Sequence, residues 1–307
     1  MLVHVWISVV FQSPPQAAMA QSVSCQIFLF DCLLICYNIF MIITPNILTI
    51  AGSDSGGGAG IQADLKTIMA LECYGMSVIT ALTAQNGETV TGIFAPPPEF
   101  AALQMRTVLD GFKIAAAKTG MLFSAPIIRA IAPFLQKRDF ALVVDPVCVS
   151  QSGSRLLEQD AVDSLCEQII PGCDLLTPNR PEAETLSGIK IENEDDIKNA
   201  GRKLLDLGAK AVLIKGGHIS GGIMVTDWLF ENGQSPKALS KARVETTNNH
   251  GTGCTLSAAI ASFLGRGMPL YGAVSQAQEF LNQALRKSYA PGKGAGPVNH
   301  AAGLVRH

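Results

Sequence analysis

The chain has 307 residues with 23 basic and 25 acidic side chains, so its formal net charge is −2 and no nucleic acid or other polyanion is implied as a partner. Its eight cysteines are too sparse for a disulfide scaffold and include no CxxC pair, which predicts a reducing, cytoplasmic location. A hydrophobic fraction of 48% together with 29 glycines is typical of a buried parallel sheet joined by tight loops.

The first forty residues differ from the rest of the chain. Residues 1–40 contain no lysine or arginine, and Asp31 is their one charged side chain. Residues 23–43 are apolar over about the length that spans a bilayer, so a membrane anchor or signal segment is one interpretation. No basic segment precedes this run, however, and polar residues interrupt it. We expect residues 1–41 to be an extension that is disordered or begins at a misassigned start, and residues 42–307 to form a single domain.

From residue 46 onward, patterns typical of strands alternate with patterns typical of helices. The predicted strands are 46–51, 77–82, 113–118, 141–145, 174–177 and 211–215, followed by a hairpin over 223–230. The predicted helices are one with Ile61, Leu65, Ile68 and Met69 on a single face, then 99–111, 126–136, 160–170, 195–207, 252–264 and 270–288. This alternation predicts an α/β fold: a three-layer α/β/α sandwich with a mostly parallel central sheet. Functional loops should then converge at the carboxyl ends of the strands.

Two polar segments follow the first two predicted strands. The glycine-rich segment GSDSGGGAG at 52–60 matches neither the dinucleotide-binding GxGxxG spacing nor a P-loop. Its backbone amides can hold the polar edge of a substrate, and Asp54 can bind a hydroxyl group, although a flexible connection is the alternative. Gln85, after the second strand, offers both a donor and an acceptor to a heterocycle, but an ordinary loop amide would look the same.

Oxygen-bearing side chains mark two later strand ends. Asp145 ends one strand, where it can stabilise Mg²⁺ or orient a loop. Asn179 and Glu182 follow the next strand, directly before a helix. They can orient water around Mg²⁺, which prefers oxygen ligands and keeps much of its hydration. The alternative is helix capping, in which both side chains serve backbone groups at the helix start.

Lys215 ends the strand over 211–215 and is followed by Gly216 and Gly217. Two glycines permit the close approach of a phosphate chain, whose charge the lysine would neutralise. A surface turn is the competing interpretation.

The segment HGTGCT at 250–255 runs directly into an apolar helix pattern, so it describes a loop that opens a helix. The first backbone N–H groups of a helix have no partner within it and lie at the positive end of its dipole. Two glycines allow these donors to approach an anion, most often a phosphate. Cys254 lies among the donors, and a helix N-terminus should lower the pKa of its thiol. Covalent catalysis and a buried structural role both remain open for it.

Taken together, these segments resemble the bacterial hydroxymethylpyrimidine/phosphomethylpyrimidine kinases, within the ribokinase-like superfamily. The resemblance covers about residues 47–300. It depends on six segments in the family's order: AGSDSGGGAGIQADLKT at 51–67, TALTAQN at 80–86, TPNRPEAE at 177–184, KGGH at 215–218, HGTGCTLSAAIA at 250–261 and GKGAGPVNH at 292–300.

The resemblance implies a kinase, usually a homodimer, that uses MgATP to phosphorylate 4-amino-5-hydroxymethyl-2-methylpyrimidine and then its monophosphate. It implies that the pyrimidine is held by Gly52, Asp54, Ala59, Gln85 and Met121. It implies that the residues that bind the phosphates and carry out the transfer are Lys215, Gly217, Asn179, Gly251, Thr252, Gly253 and Cys254. It also implies that Asn179 and Glu182 hold Mg²⁺ through water, with Asp145 as a further candidate ligand. Most relatives in the superfamily have an aspartate base where this family has cysteine. We expect Cys254 to position or deprotonate the substrate hydroxyl without forming a covalent bond.

The chain departs from the family pattern at two positions. Gln151 and Thr247 stand where relatives usually have a basic residue, which puts a phosphate contact at Gln151 in doubt. A pyridoxal or pyridoxine kinase of the same fold is the nearest alternative, and a non-catalytic pyrimidine-binding protein is an alternative of another class. Gln85 and the complete glycine-rich run favour the pyrimidine kinase.

Overall fold

A nine-stranded sheet forms the centre of the protein in the computed structural model, which describes residues 44–148, 157, 159–216 and 222–304. The strands are β1 (Asn46–Asp54), β2 (Tyr74–Gln85), β3 (Val90–Phe94), β4 (Ala116–Thr119), β5 (Ala141–Val144), β6 (Leu175–Leu176), β7 (Ala211–Ile214), β8 (Met224–Glu231) and β9 (Lys237–Ala242). The helices are α1 (Gly60–Ala70), α2 (Pro98–Gly111), α3 (Ala125–Gln136), α4 (Gln159–Gln168), α5 (Arg180–Ser187), α6 (Glu194–Leu205), α7 (Thr252–Gly265) and α8 (Leu270–Arg286), with a 3₁₀ turn at His300–Gly303.

The strand order β3-β2-β1-β4-β5-β6-β7-β8-β9 places the six strands β2, β1, β4, β5, β6 and β7 in parallel. Antiparallel pairs occur at both edges, where β3 joins β2 and where β8 and β9 follow β7. The chain turns from β1 to β2 on one side and later to β4 on the other. Ligand sites in open α/β sheets lie at such a reversal, outside the carboxyl ends of the strands.

Helices cover both faces of the sheet, so the predicted three-layer α/β/α fold is confirmed. Alternate residues of β1 show the division: Ile47 packs into the core beneath α1, α7 and α8, whereas Leu48 and Ile50 pack into the core beneath α2 to α6. All three side chains are fully buried. A strand buried on both faces needs apolar residues at successive positions, which explains the continuous apolar run that opens β1.

Most predicted elements are present, but several bounds were wrong. β1 continues to Asp54 and β2 to Gln85, because the two strands pair beyond a bulge between Ala51 and Ser53. Gln85 therefore ends a strand instead of following one. The strand predicted from residue 113 begins at Ala116. The chain also contains β3, which was not predicted: all five of its residues are exposed, so it carries no alternating pattern.

Two further outcomes concern surface positions. Met69 was predicted to share the buried face of α1 with Ile61 and Ile68, yet it is 62% exposed, and Asp64 and Thr67 occupy that face instead. The predicted hairpin is present, with β8 turning into β9 through Asn232 and Gly233, where the glycine has a φ of 74°.

The boundary near residue 41 remains a prediction, because residues 1–43 lie outside the described part of the chain. Among the residues described, no helix is both long and apolar enough to cross a bilayer.

Candidate active site

The polar segments predicted to carry function converge at the carboxyl ends of the parallel strands. A Cβ added to Gly253, at the start of α7, would lie 3.5 Å from Lys215 Nζ and 3.6 Å from Asp145 Oδ2. A Cβ added to Gly251 would lie 1.9 Å from the carbonyl oxygen of Gly58. The helix start is therefore in contact with the end of β7 on one side and with the loop after β1 on the other.

Asp54 organises the glycine-rich loop. Its Oδ1 accepts a hydrogen bond from the Gly56 N–H at 2.8 Å, and its Oδ2 accepts from Gly58 at 3.1 Å and from Ala59 at 2.8 Å. The carboxyl group is 3% exposed. Burial acts to raise the pKa of Asp54, but the hydrogen bonds from His250, Ala59 and Gly56 hold it below 3.8. The charged carboxylate thus folds the loop, and its direct contact with a substrate hydroxyl stays a prediction.

His250 joins this loop to the start of α7. Its Nε2 lies 2.9 Å from Asp54 Oδ2. The close approach of the two segments requires glycine at Gly58, where a Cβ would lie 2.4 Å from the His250 ring, and at Gly251, which has a φ of 81°. The Gly60 backbone also acts on the Cys254 thiol, whose ionised form it favours. The two loops therefore form one preorganised unit.

Gly52, Met121 and Gln85 lie near the carboxyl ends of β1, β4 and β2. A Cβ at Gly52 would lie 2.5 Å from the methyl carbon of Met121, and the Met121 carbonyl accepts a hydrogen bond from Thr80 Oγ1 at 2.6 Å. Gln85 is held by the glycine-rich loop, since its N–H donates to Ser55 Oγ at 2.8 Å. Its side-chain oxygen accepts from Thr83 Oγ1 at 3.1 Å. Glycine at position 52 leaves room for Met121, and their contact with a ring remains a prediction.

Lys215 and Asp145 form a buried ion pair beside the start of α7. The distance between Lys215 Nζ and Asp145 Oδ1 is 2.9 Å, with side-chain exposures of 14% and 3%. Ser257, one turn into α7, donates to Asp145 Oδ2 at 3.3 Å. Lys215 is the more exposed partner, so its ammonium group is placed to exchange Asp145 for an incoming phosphate. Gly217 lies outside the described residues, as does Gln151.

Asn179 and Glu182 cap α5 reciprocally. Asn179 Oδ1 accepts from the Glu182 N–H at 2.9 Å, and Glu182 Oε2 accepts from the Asn179 N–H at 2.8 Å. The capping interpretation is therefore confirmed. Glu182 is also only 2% exposed, and burial raises its pKa to about 7. The charge of Asp145 also acts to raise this pKa, whereas that of Lys215 acts to lower it. A buried carboxylate beside Asp145 is more than a cap requires, so a role in holding Mg²⁺ stays open as a prediction.

The expectation of an acidic thiol at Cys254 was wrong. Burial raises the pKa of the Cys254 thiol to about 11, with Asp64 and Asp145 acting in the same direction, while Lys118 opposes them. The helix dipole and the Gly60 N–H favour the thiolate. They do not offset the loss of hydration and the two carboxylates nearby.

Sequence reasoning missed the second buried ion pair of the site. Lys118 Nζ donates to both carboxylate oxygens of Asp64, at 3.0 and 2.9 Å, and Thr49 Oγ1 donates to the same carboxylate at 2.6 Å. All three residues are fully buried. A lysine that ends the predicted strand over 113–118 was the available signal, since lysine is almost never fully buried unless it is paired.

Comparison with known proteins places this site in a family. The family model described as phosphomethylpyrimidine kinase matches residues 54–299. The thiamine biosynthesis bifunctional protein ThiED of Geobacter sulfurreducens is 48% identical over 256 residues, which are 83% of this chain and 52% of that protein. The chain thus spans about half the length of that relative. A hydroxymethylpyrimidine/phosphomethylpyrimidine kinase of Streptomyces coelicolor is 42% identical over 260 residues, covering 85% of this chain and 96% of the relative.

Solved structures show the same fold. A pyridoxal kinase from Staphylococcus aureus in complex with AMP-PCP has a TM-score of 0.78 at 33% identity, covering 84% of this chain and 94% of that one. A phosphomethylpyrimidine kinase from Clostridium difficile has a TM-score of 0.71 at 42% identity, covering 79% of this chain and 100% of that one. The fold and the site therefore define a ribokinase-like small-molecule kinase. Within that class, the chain belongs to the phosphomethylpyrimidine kinase family.

The role of Asp54 as loop organiser can be tested with Asp54→Asn. The amide keeps one acceptor oxygen but turns an NH₂ group toward backbone donors, and hydrogen bonds to a charged group contribute about 1.5–3 kcal/mol. We expect the free energy of unfolding near neutral pH to fall by about 2 kcal/mol. Because the folded pKa of Asp54 lies below 3.8, its stabilisation is present above that value and is lost as the pH falls through the folded pKa.

Urea unfolding of both proteins from neutral to acidic pH measures this difference, which should shrink as the pH falls below 3.8. Asp110→Asn is the matched control, because Asp110 is exposed on α2 and should show no such convergence. A stability difference that stays constant with pH would mean that the charge of Asp54 does not hold the loop.

Proposed function

We propose that this protein transfers the γ-phosphoryl group of ATP to 4-amino-5-hydroxymethyl-2-methylpyrimidine, and then to its monophosphate, in thiamine biosynthesis. The observation that carries the proposal is the junction of the two glycine-rich loops at His250 and Asp54. It joins the start of α7, whose first backbone N–H groups suit an anion, to the glycine-rich loop of 52–60. Family membership and the names of the relatives support the choice of substrate.

The transfer step follows from the donors at the start of α7. The substrate hydroxyl oxygen attacks the γ-phosphorus, the bond from that phosphorus to the β,γ-bridging oxygen breaks, and ADP leaves with the bonding electrons. The N–H groups of Gly253 and Cys254 have no acceptor in the described part of the chain, because the first helical bond of α7 is donated by Thr255 to Gly251. These two donors and Lys215 are placed to stabilise charge on the migrating group.

Mg²⁺ fits the oxygen donors beside Lys215. Asp145 and Glu182 are both about 2% exposed, and they act on each other electrostatically. In the described residues, His, Cys, Asp and Glu nowhere gather in a group of three or more that could hold a metal. Two carboxylates suit an ion that takes its remaining ligands from water and phosphates, as Mg²⁺ does in kinases. Bound there with Asn179 nearby, the ion would neutralise phosphate charge.

Cys254 is assigned to positioning the substrate hydroxyl. With a thiol pKa of about 11, only about one molecule in ten thousand carries the thiolate near neutral pH. The Cys254 thiol is therefore not a ready general base. Phosphoryl transfer proceeds through a loose transition state, so the hydroxyl proton can leave late and pass to an oxygen of the transferred phosphoryl group. The sulfur then serves to hold the hydroxyl in line with the γ-phosphorus.

Substitution of Cys254 separates positioning from base catalysis. We expect Cys254→Ala to lower kcat by about 10- to 100-fold through loss of orientation, with little change in the KM for ATP. Cys254→Ser should recover most of that loss, because its hydroxyl can accept the same hydrogen bond. Steady-state kinetics measure both, with Cys166→Ala as a control for the loss of a half-buried thiol elsewhere. A serine variant as slow as the alanine variant would instead support an essential thiolate base.

The substrate itself is tested with the purified full-length chain and MgATP. We expect kcat/KM for the hydroxymethylpyrimidine and its monophosphate to exceed that for pyridoxal by about tenfold or more, since the ring pocket must satisfy its polar groups. Pyridoxal kinases share this fold, so pyridoxal is the informative competitor. A preference for pyridoxal would overturn the assignment, and tight pyrimidine binding without ATP turnover would favour a non-catalytic binding protein.

We also infer a cytoplasmic homodimer. All five cysteines of the described residues are free thiols, which suits a reducing compartment. Strand β3 lies at the edge of the sheet, where Ile93 is 51% and Phe94 is 66% exposed. An apolar edge strand invites pairing with another chain. A second copy of this protein covering β3 would protect it.

The dimer is tested with Phe94→Glu, which places a charge in the apolar edge. We expect sedimentation velocity to show a shift from dimer to monomer, because burying an unpaired carboxylate at an interface is unfavourable. Met69→Glu is the matched control, since Met69 is a similarly exposed apolar side chain on α1, 62% accessible. A wild-type monomer, or a Phe94→Glu dimer as strong as the wild type, would contradict this interface.

A further inference from the structure

Four charged side chains act electrostatically on Cys254, and they form two ion pairs of different character. Lys215 pairs with Asp145, and Lys118 pairs with Asp64. Electrostatic interactions link Cys254 with Lys118, Asp64 and Asp145, and also with Lys215. The Lys215 side chain is 14% exposed, whereas those of Lys118 and Asp64 are 1% and 0% exposed. Only the first pair is within reach of an incoming phosphate.

The sheet places Lys118 beneath the transfer site. Side chains two apart on a strand share a face, and Ala116 on β4 packs into the core beneath α1, α7 and α8. Lys118 therefore points into the same layer, toward the start of α7. A Cβ at Gly120 would lie 2.8 Å from Lys118 Nζ, so the Gly120 backbone lies against the ammonium group. Because the Lys118 side chain is 1% exposed, it acts on the site through its charge and not through contact with a substrate.

The ammonium group is held in one place and in one charge state. Both recorded hydrogen bonds of Lys118 Nζ go to Asp64, which Thr49 holds from β1. Burial acts to lower the pKa of Lys118, but Asp64 outweighs it and raises that pKa above its usual value. A fully buried ion pair is a poor source of stability, because desolvation offsets the attraction. Its presence under the reacting groups calls for another explanation.

We propose that Lys118 is a positioning residue for the transfer step: its buried ammonium group, fixed by Asp64, supplies a permanent positive charge beside Cys254, where the substrate hydroxyl loses its proton. This inference rests on the proposed function. Negative charge develops on the attacking oxygen as its proton leaves, and a preorganised positive charge in a site shielded from water stabilises it without reorganisation. Asp64 holds Lys118 in place, although its negative charge weakens the electrostatic effect of the lysine at Cys254.

The reactivity of Cys254 reports this field without any substrate. Iodoacetamide alkylates the thiolate, so its rate follows the ionised fraction of the thiol across the alkaline range, with the Cys254→Ser protein subtracted for the other cysteines. The midpoint of the profile reports the local charge, whereas the limiting rate at high pH reports accessibility. Charge and loosened packing are therefore separated in one measurement.

Two substitutions should move the midpoint in opposite directions. Lys118→Met removes the positive charge and should raise the midpoint by about one pH unit, whereas Asp64→Asn removes the opposing charge and should lower it by a similar amount. The double variant Lys118→Met/Asp64→Asn leaves no unpaired buried charge, and its midpoint should lie between those of the single variants. In kinase assays, Lys118→Met should lower kcat by about tenfold while the KM for ATP is unchanged.

Midpoints that shift in the same direction in both single variants, or that do not shift, would overturn the proposal and leave the pair a structural one. If Lys118→Met does not fold, as judged by circular dichroism, Asp64→Asn and the double variant decide the question, since the double variant must lie above Asp64→Asn. Failure of the proposed substrate in the kinase assay would leave the midpoint shifts intact, so the two inferences fail separately.

Discussion

The carboxylate of Asp54 is the interaction on which the rest of the site depends. Five of the nine residues in 52–60 are glycines, which have no side chains to restrict the backbone. Ordering this loop therefore costs more backbone entropy than ordering a loop of other residues. One buried charge offsets that cost locally, because it accepts hydrogen bonds from three backbone N–H groups and faces His250. Since His250 directly precedes the start of α7, the same carboxylate fixes the distance between the substrate loop and the phosphate donors.

The parallel sheet gives the site its second organising feature, a set of charges on one face. The core beneath α7 includes the buried residues Ala116 of β4, Val143 of β5 and Leu213 of β7. Lys118, Asp145 and Lys215 each lie two positions after one of these residues, so their side chains share that face and point toward α7. Each lysine has an aspartate partner, so the charges of these two pairs cancel. The pair of Lys215 and Asp145 contains the more exposed lysine, so it is suited to rearrange when phosphate binds. The pair of Lys118 and Asp64 is fully buried, so its geometry and charge are suited to stay the same.

The layered fold could be predicted because each strand and helix carries its own local pattern, and the convergence of the loops followed from parallel topology alone. What failed depended on contacts distant in sequence. Strand β3 exists because the long β2 offers it a partner, although all five of its residues are exposed. The pKa of the Cys254 thiol is raised mainly by burial, and also by Asp64, which is 190 positions away in sequence. A helix start predicts a lowered thiol pKa only while the thiol stays hydrated.

Substrate choice in this fold is decided by a few side chains, and overall shape carries little information about it. The chain superposes more closely on a pyridoxal kinase, at a TM-score of 0.78, than on a pyrimidine kinase at 0.71, yet its identity is 33% to the first and 42% to the second. Backbone similarity follows the sheet and helices, which both classes share. In the proposed site, the ring would meet loop residues such as Met121, for which the glycine at position 52 leaves space, and Gln85, whose N–H donates to Ser55. The higher identity to the pyrimidine kinase is therefore the better guide to substrate, because residues, not backbone, line the pocket.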